Sequence, residues 1–303
     1  MRQRPFQQVD VFTAVPGYGN PVAVVLDGTG LDEAAMQRFA RWTNLSETTF
    51  VLPPSDPQAD YDLRIFTPGG ELPFAGHPTL GSCFAWLASG GQPKAPGQVV
   101  QQCAQGLVQI RLEGTRLAFA APSSERSAPA PSVLARVAQA LGLQASQVLR
   151  AQRLDNGPVW LVLQLDSADT VLALEPQHAQ LAALGQKVGV LGIYPAETAV
   201  PLIARSSREA RAFNGVSGRN DASLIEVRAF AAPIGVPEDP VTGSLNASLA
   251  QWLMEEGELP SSYQAGQGIA LGRDGRVFVR RDAEGQVWVG GDCVSCIDGS
   301  VLL

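Results

Sequence analysis

No stretch of this 303-residue chain approaches the about 18 consecutive apolar residues that a membrane-crossing helix requires, so no membrane span is expected. Basic residues are too few for a phosphate-binding surface. The 22 Lys and Arg stand against 29 Asp and Glu, a net charge of −7, and neither nucleic acid nor an anionic membrane is an expected partner. Cysteine is scarce as well: Cys83, Cys103, Cys293 and Cys296 do not make a disulfide framework in a chain this long. Cys293-x-x-Cys296 has the spacing of a redox pair or half a zinc site. It lacks a second pair, has no histidine near it in sequence, and sits in a strand-like run, so both cysteines are expected to be buried strand residues. The glycine-rich turn Gly17-x-Gly19-Asn20-Pro21 has no P-loop lysine and is not GxGxxG. There is no Gly-x-Ser-x-Gly nucleophile elbow, no lysine in a motif suited to a Schiff base, and no ligand-spaced cluster for a metal. The start, Met1 to Pro5, leads into a strand-like stretch rather than an apolar signal region, and a cytoplasmic location is the resulting expectation.

What is present suffices for a large core: 45% of residues are hydrophobic, and the length suits two domains. Alternation and turn residues predict strands at 8–12 and 22–26, a helix over 32–42, strands at 47–52 and 61–66, and a helix from His77 to Ala88. Strands near 98–105, 107–112 and 116–121 close this half. After the Pro/Ser/Ala-rich stretch 122–131 the order repeats. A helix is predicted near 131–141, strands at 147–153 and 158–165, a helix near 176–184, and strands at 188–194, 199–205 and 223–230. A helix over 239–256 and strands near 266–272, 276–281 and 286–291 complete it. The domains are read as 1–126 and 127–294, with the tail 295–303 completing the first.

The repeat is clearest at two helix entrances. His77-Pro78-Thr79-Leu80-Gly81-Ser82 aligns with Asp239-Pro240-Val241-Thr242-Gly243-Ser244, and five of eleven positions are identical between 77–87 and 239–249. Upstream, Arg64-x-Phe66 aligns with Arg228-x-Phe230 after a two-residue gap. Proline is favoured at the first helical position, which makes His77 and Asp239 the expected N-caps and leaves free backbone N–H groups to attract an anion. Asp is a good structural cap by itself; His is a poor one, and His77 is one of two histidines, well placed for proton exchange. The other, His178, reads as a solvated helix position. Both central helices are strongly apolar (Leu80, Phe84, Trp86, Leu87; Leu245, Leu249, Trp252, Leu253) and need neighbours on several sides. A sheet curled around each would supply them and leave a cleft between two domains. Glu47, in Asn44-Leu45-Ser46-Glu47-Thr48, is either an exposed residue on an edge strand or a carboxylate at that cleft.

These blocks together resemble the PhzF family: Asp10-Val11-Phe12-Thr13, Gly19-Asn20-Pro21-Val22-Ala23, Asn44-Leu45-Ser46-Glu47, Arg64-Ile65-Phe66-Thr67-Pro68, Phe74-Ala75-Gly76-His77-Pro78-Thr79 and Pro237-Glu238-Asp239-Pro240-Val241-Thr242-Gly243-Ser244. The resemblance covers nearly the whole chain. It implies an α+β diaminopimelate-epimerase-like fold, two pseudo-symmetric domains that each wrap a β-barrel-like sheet around a central helix, with the active site between them. It also implies chemistry without metal or organic cofactor, and a homodimer. In the phenazine-pathway isomerase of this family, the Glu of Leu-Ser-Glu shuttles a proton between carbons of a dihydro-hydroxyanthranilate ring. Carried over, the catalytic residues are Glu47, His77 and Asp239. Ser244 would help bind the substrate carboxylate, with Asn20, Ser46, Gly76 and Gly243 as further candidate binding residues. Racemases of this fold use paired cysteines, and none lies at or beside positions 77 and 239. Leu245 and Asn246 are larger than the family pattern there and are expected to reshape the pocket. The expected function is an isomerase acting by general acid/base proton transfer on a small carboxylate. An epimerase or lyase using the same residues, or a non-catalytic binding protein that retains the fold, are the alternatives.

Overall fold

The computed structural model describes residues 1–195 and 223–303, so the strand expected at 199–205 lies outside the described residues. In the first half, β1 (Gln3–Val11) and β2 (Asn20–Val25) form an antiparallel hairpin, α1 (Glu33–Thr43) crosses over, and β3 (Glu47–Leu52) returns parallel to β2. The antiparallel β4 (Tyr61–Thr67) carries the short β5 (Gly70–Leu72) and leads into α2 (Gly76–Ala88). Then β6 (Gln98–Cys103) pairs parallel to β4 and opens the meander β6–β7 (Gly106–Glu113)–β8 (Arg116–Ala120).

The second half repeats each of these pairings. After β9 (Glu125–Ser127) and α3 (Pro131–Ala140), the hairpin β10 (Val148–Asp155)–β11 (Val159–Leu165) leads through α4 (Ala168–Leu172) and α5 (His178–Ala183) to the parallel strand β12 (Lys187–Ile193). Antiparallel β13 (Ile225–Ala231) carries β14 (Val236–Asp239) before α6 (Gly243–Glu255). Next come β15 (Ser262–Gln267), parallel to β13, and the antiparallel β16 (Gly275–Arg281) and β17 (Val287–Gly291). The halves join where β8 pairs antiparallel with β17. They also exchange strands: β9 pairs with β10, and β18 (Cys293–Leu302) runs antiparallel along β1.

Local chemistry explains the helices. At α1, Asp32 Oδ1 accepts from the Ala35 N–H at 2.7 Å, and Asn44 ends the helix with φ of 55°. Its buried face (Met36, Phe39, Ala40) packs outside the sheet against Val25, Phe50 and Phe66. By contrast α2 and α6 are buried on most sides, because each lies inside a curled sheet. A single apolar core runs through both halves, from Val9, Leu80 and Phe119 to Leu245, Trp252 and Val289.

Ladder registers establish which residues are equivalent. Val22 faces Glu47 where β2 meets β3, and Trp160 faces Lys187 where β11 meets β12; the next ladders pair Thr48 with Phe66 and Val188 with Phe230. Glu47 therefore matches Lys187, and Arg64 matches Arg228. Past that point the sequence alignment slips. Both central helices have 13 residues and start at Gly76 and Gly243, so His77 matches Ser244 rather than Asp239. His77-Pro78-Thr79-Leu80 is already helix, whereas Asp239 ends β14 and Pro240 to Thr242 form the turn. Neither His77 nor Asp239 is the N-cap. Ala75 and Thr242 hold those places, without a side-chain bond to the helix.

Smaller expectations also change. The strand set at 266–272 ends at Gln267, and Ile269–Leu271 form a 3-10 turn between left-handed Gly268 and Gly272. The helix α4 lies in a run too short for a periodicity to register. Cys293 and Cys296 are strand residues, but Cys293 is half-buried and Cys296 exposed, because β18 lies at the sheet's edge. His178 is half-buried, 6.0 Å from the Phe230 ring.

Candidate active site

The two central helices meet end to end. A Cβ built on Gly76 would lie 3.3 Å from the Gly243 Cα and 2.7 Å from the Phe119 ring, so the backbones approach this closely only because both residues are glycine. Two positive helix ends thus face one region, and with uncapped first turns they offer backbone N–H donors there.

Around this junction lie the candidate residues. Glu47 opens β3, and its Oε2 is 3.4 Å from Nε2 of His77 in the first turn of α2. Both atoms are buried without a hydrogen-bond partner. Burial pushes the Glu47 carboxyl up to about 7, against the opposing pull of the Ser46 hydroxyl and the Lys187 charge. Burial pushes the His77 imidazole down to about 4, although Asp239, the Pro21 carbonyl and Asp10 all pull it up. The unbonded Nε2 is the imidazole atom that faces Glu47.

Asp239 ends β14 and has a different setting. Its Oδ1 accepts from Asn20 Nδ2 at 2.8 Å and its Oδ2 from Thr242 Oγ1 at 2.6 Å. Burial raises it to about 6; His77 pulls it down, and the neighbouring Glu47 carboxyl pushes it up. The fully buried Asn20 also donates to the Val241 carbonyl, and the Ser46 hydroxyl approaches its Oδ1 at 3.5 Å. Glu47, His77, Asp239, Asn20, Ser46, Gly76 and Gly243 are thus neighbours around the junction of the two central helices. Ser244 is there too, its Oγ accepting from the Trp160 indole N–H at 3.2 Å and its carbonyl from Asn156 Nδ2 at 2.9 Å. Its sequence counterpart Ser82 is deep in α2, bonded to Thr49.

Some of this cleft went unseen in the sequence. Gln267 is buried at the end of β15 and ties the α6 entrance together: its Nε2 donates to Thr242 Oγ1 and to the Asp239 carbonyl, and its Oε1 accepts from Thr242 N–H and Asn246 Nδ2. Asn246 is thereby turned into this network and Leu245 is fully buried in the core, so both residues expected to reshape the pocket are interior. Lys187 was also missed. Its ammonium is pushed down by burial, against the pull of Glu47 and Asp239. Only the strand register reveals it as the counterpart of Glu47. Among the described residues no group of three or more His, Cys, Asp or Glu side chains is disposed to hold a metal ion.

The family model for PhzC-PhzF, described as phenazine biosynthesis-like protein, matches residues 9–299. The chain belongs to the PhzF family. Similar PhzF-family proteins include antisense-enhancing sequence 1 of Schizosaccharomyces pombe, 36% identical over all of both chains. The trans-2,3-dihydro-3-hydroxyanthranilate isomerase of Pseudomonas aeruginosa is 33% identical over 97% of this chain and 98% of its own length. Among solved structures, a PhzF-family phenazine biosynthesis protein of Bacillus anthracis superposes with a TM-score of 0.81 over the whole of both chains, at 23% identity, a likeness of fold. No described helix of this PhzF-family chain is long and apolar enough to cross a membrane.

Proposed function

We propose that this PhzF-family protein is an isomerase that moves a proton between carbons of a small carboxylate, using its own side chains as acid and base. The observation that carries the reading is the Glu47–His77 pair: two unpartnered buried atoms 3.4 Å apart, on a carboxyl raised to about 7 and an imidazole held neutral. A general base works best when its pKa lies near the working pH, and burial brings Glu47 there. Ionised Glu47 takes a proton from one substrate carbon, and the C–H electron pair moves into the adjacent π system. Neutral Glu47 then returns the proton to another carbon, so the overall reaction is a double-bond shift with no change of oxidation state. Asp239, fixed by Asn20 and Thr242, is the second carboxyl facing the substrate, and the positive ends of the paired helices favour an anion beside them. The relatives named as isomerases of trans-2,3-dihydro-3-hydroxyanthranilate make a cyclic, conjugated amino carboxylate the first substrate to test.

The test is turnover of that compound in deuterium oxide, followed by NMR. Wild type should shift the double bond, with a rate that rises as pH passes about 7 and Glu47 ionises. Glu47→Gln should lose about 100- to 10,000-fold in turnover while still binding ligand. Unchanged turnover in that variant would sink the assignment.

A further inference from the structure

The chain has two lysines, Lys94 and Lys187. Lys94 is a surface residue whose ammonium donates to the Pro57 and Ala59 carbonyls. Lys187 is different. It opens β12 as Glu47 opens β3, each facing the corresponding residue of the strand before it, Trp160 or Val22. Its Nζ lies 5.8 Å from the centre of the Trp160 ring, and the Trp160 indole N–H holds Ser244, the structural counterpart of His77. The internal symmetry therefore sets a Lys187–Trp160–Ser244 group across the helix junction from Glu47 and His77. Among the described residues Lys187 makes no ion pair within 4 Å, although it lies within electrostatic reach of Glu47 and Asp239. Next to Ser244, the Oδ1 of the nearly buried Asn156 also has no partner.

A substrate carboxylate approaching this cleft meets two carboxyl groups, Glu47 and Asp239, and a neutral His77. Helix ends and hydroxyls contribute partial charge; Lys187 contributes a full one. We propose that Lys187 grips the substrate's carboxylate, so that one half of the pseudo-symmetric site moves the proton and the other half holds the anion. Trp160 and Ser244 position that grip, and the unpartnered Asn156 oxygen accepts from an N–H or O–H neighbouring the carboxylate. The assignment rests on the isomerase reading for its substrate class, but it makes a claim about binding that can be tested apart from turnover.

The probes are 2-amino-3-hydroxybenzoate, an aromatic ring with the carboxylate, amine and hydroxyl of the compound named for the bacterial isomerases, and its carboxamide. Each is titrated calorimetrically at pH 7 into wild type, K187M, K187R and E47Q. Wild type should prefer the carboxylate, and E47Q and K187R should keep that preference. K187M should bind the carboxylate about 10- to 100-fold more weakly and the carboxamide almost unchanged. K187Q replaces K187M if the latter does not fold by circular dichroism. Retained preference in the Lys187 variant overturns the proposal and leaves the isomerase reading standing. A wild type that binds both probes equally, prefers the amide, or binds neither also overturns it. A lysine-dependent preference in a protein that shows no proton exchange supports the grip and removes the isomerase reading instead.

Discussion

Glu47→Gln should make the protein more stable at pH 8 while it destroys turnover. In the unfolded chain the Glu47 carboxyl titrates near its ordinary 4.5, and in the folded protein burial raises it to about 7. Between those values the folded state binds more protons than the unfolded one, so stability falls as pH rises. Glu47's contribution is fully present below 4.5 and is lost as pH passes through about 7. The displacement corresponds to about 3 kcal/mol. A neutral glutamine of the same shape removes that pH dependence. Relative to wild type, the variant should gain little at pH 5 and up to about 3 kcal/mol at pH 8, or about 6 °C in melting temperature for a chain of this size. Asp239 and His77 remain in both proteins. Relief of the Glu47–Asp239 repulsion adds to the gain rather than opposing it. Urea unfolding of both proteins at pH 5, 6, 7 and 8 reads the difference directly. A difference that stays flat across that range, or that grows toward acid, refutes the idea that burial holds a proton on Glu47.

At the helix junction, Gly76→Ala puts a methyl 2.7 Å from the buried Phe119 ring, an overpacking cost of about 1–3 kcal/mol that outweighs the helix propensity gained. Gly243→Ala meets the Gly76 Cα at 3.3 Å and the Phe119 ring at 3.4 Å, a milder crowding that should cost less than Gly76→Ala, and equal urea midpoints for the two would contradict the asymmetry. Arg228→Met strands Glu238, whose pair with Arg228 is 5% exposed on both sides, and should cost about 3–5 kcal/mol. The equivalent Arg64–Glu71 pair is 27% and 29% exposed, so Arg64→Met should cost about 1 kcal/mol or less in the same melts.

Much of the architecture was legible in the chain. Short apolar runs bounded by turn residues located β3, β4, β7 and β8 within a residue or two; β4 alternates buried and half-buried positions, whereas β3 and β8 are buried on consecutive residues and announce themselves as continuous apolar runs. The all-round apolar character of α2 and α6 pointed to helices enclosed by sheet, as found. The motifs carrying Glu47, His77 and Asp239 were also readable as local strings. Short or edge elements were not: β5, β9 and β14 have three or four residues, too few to establish a period.

Composition and periodicity by themselves determined a chain of mixed strands and helices with an internal repeat, a net charge of −7, and a histidine and an aspartate before matched prolines; the role of Glu47 and the α+β epimerase-like fold were legible only through the resemblance to the PhzF family. Tertiary structure alone decided how the repeat superposes. Identity at Pro, Gly and Ser paired His77 with Asp239, whereas the backbone starts its helices at Gly76 and Gly243 and pairs His77 with Ser244. The reason is physical: proline and glycine are tolerated both in a turn and in a first helical turn, so shared letters do not say on which side of a helix start they fall. Strand pairing is stricter, since a slip of one residue turns every side chain to the other face. That strictness is what places Lys187 opposite Glu47, a relation between two residues of opposite charge that no alignment of the halves would suggest.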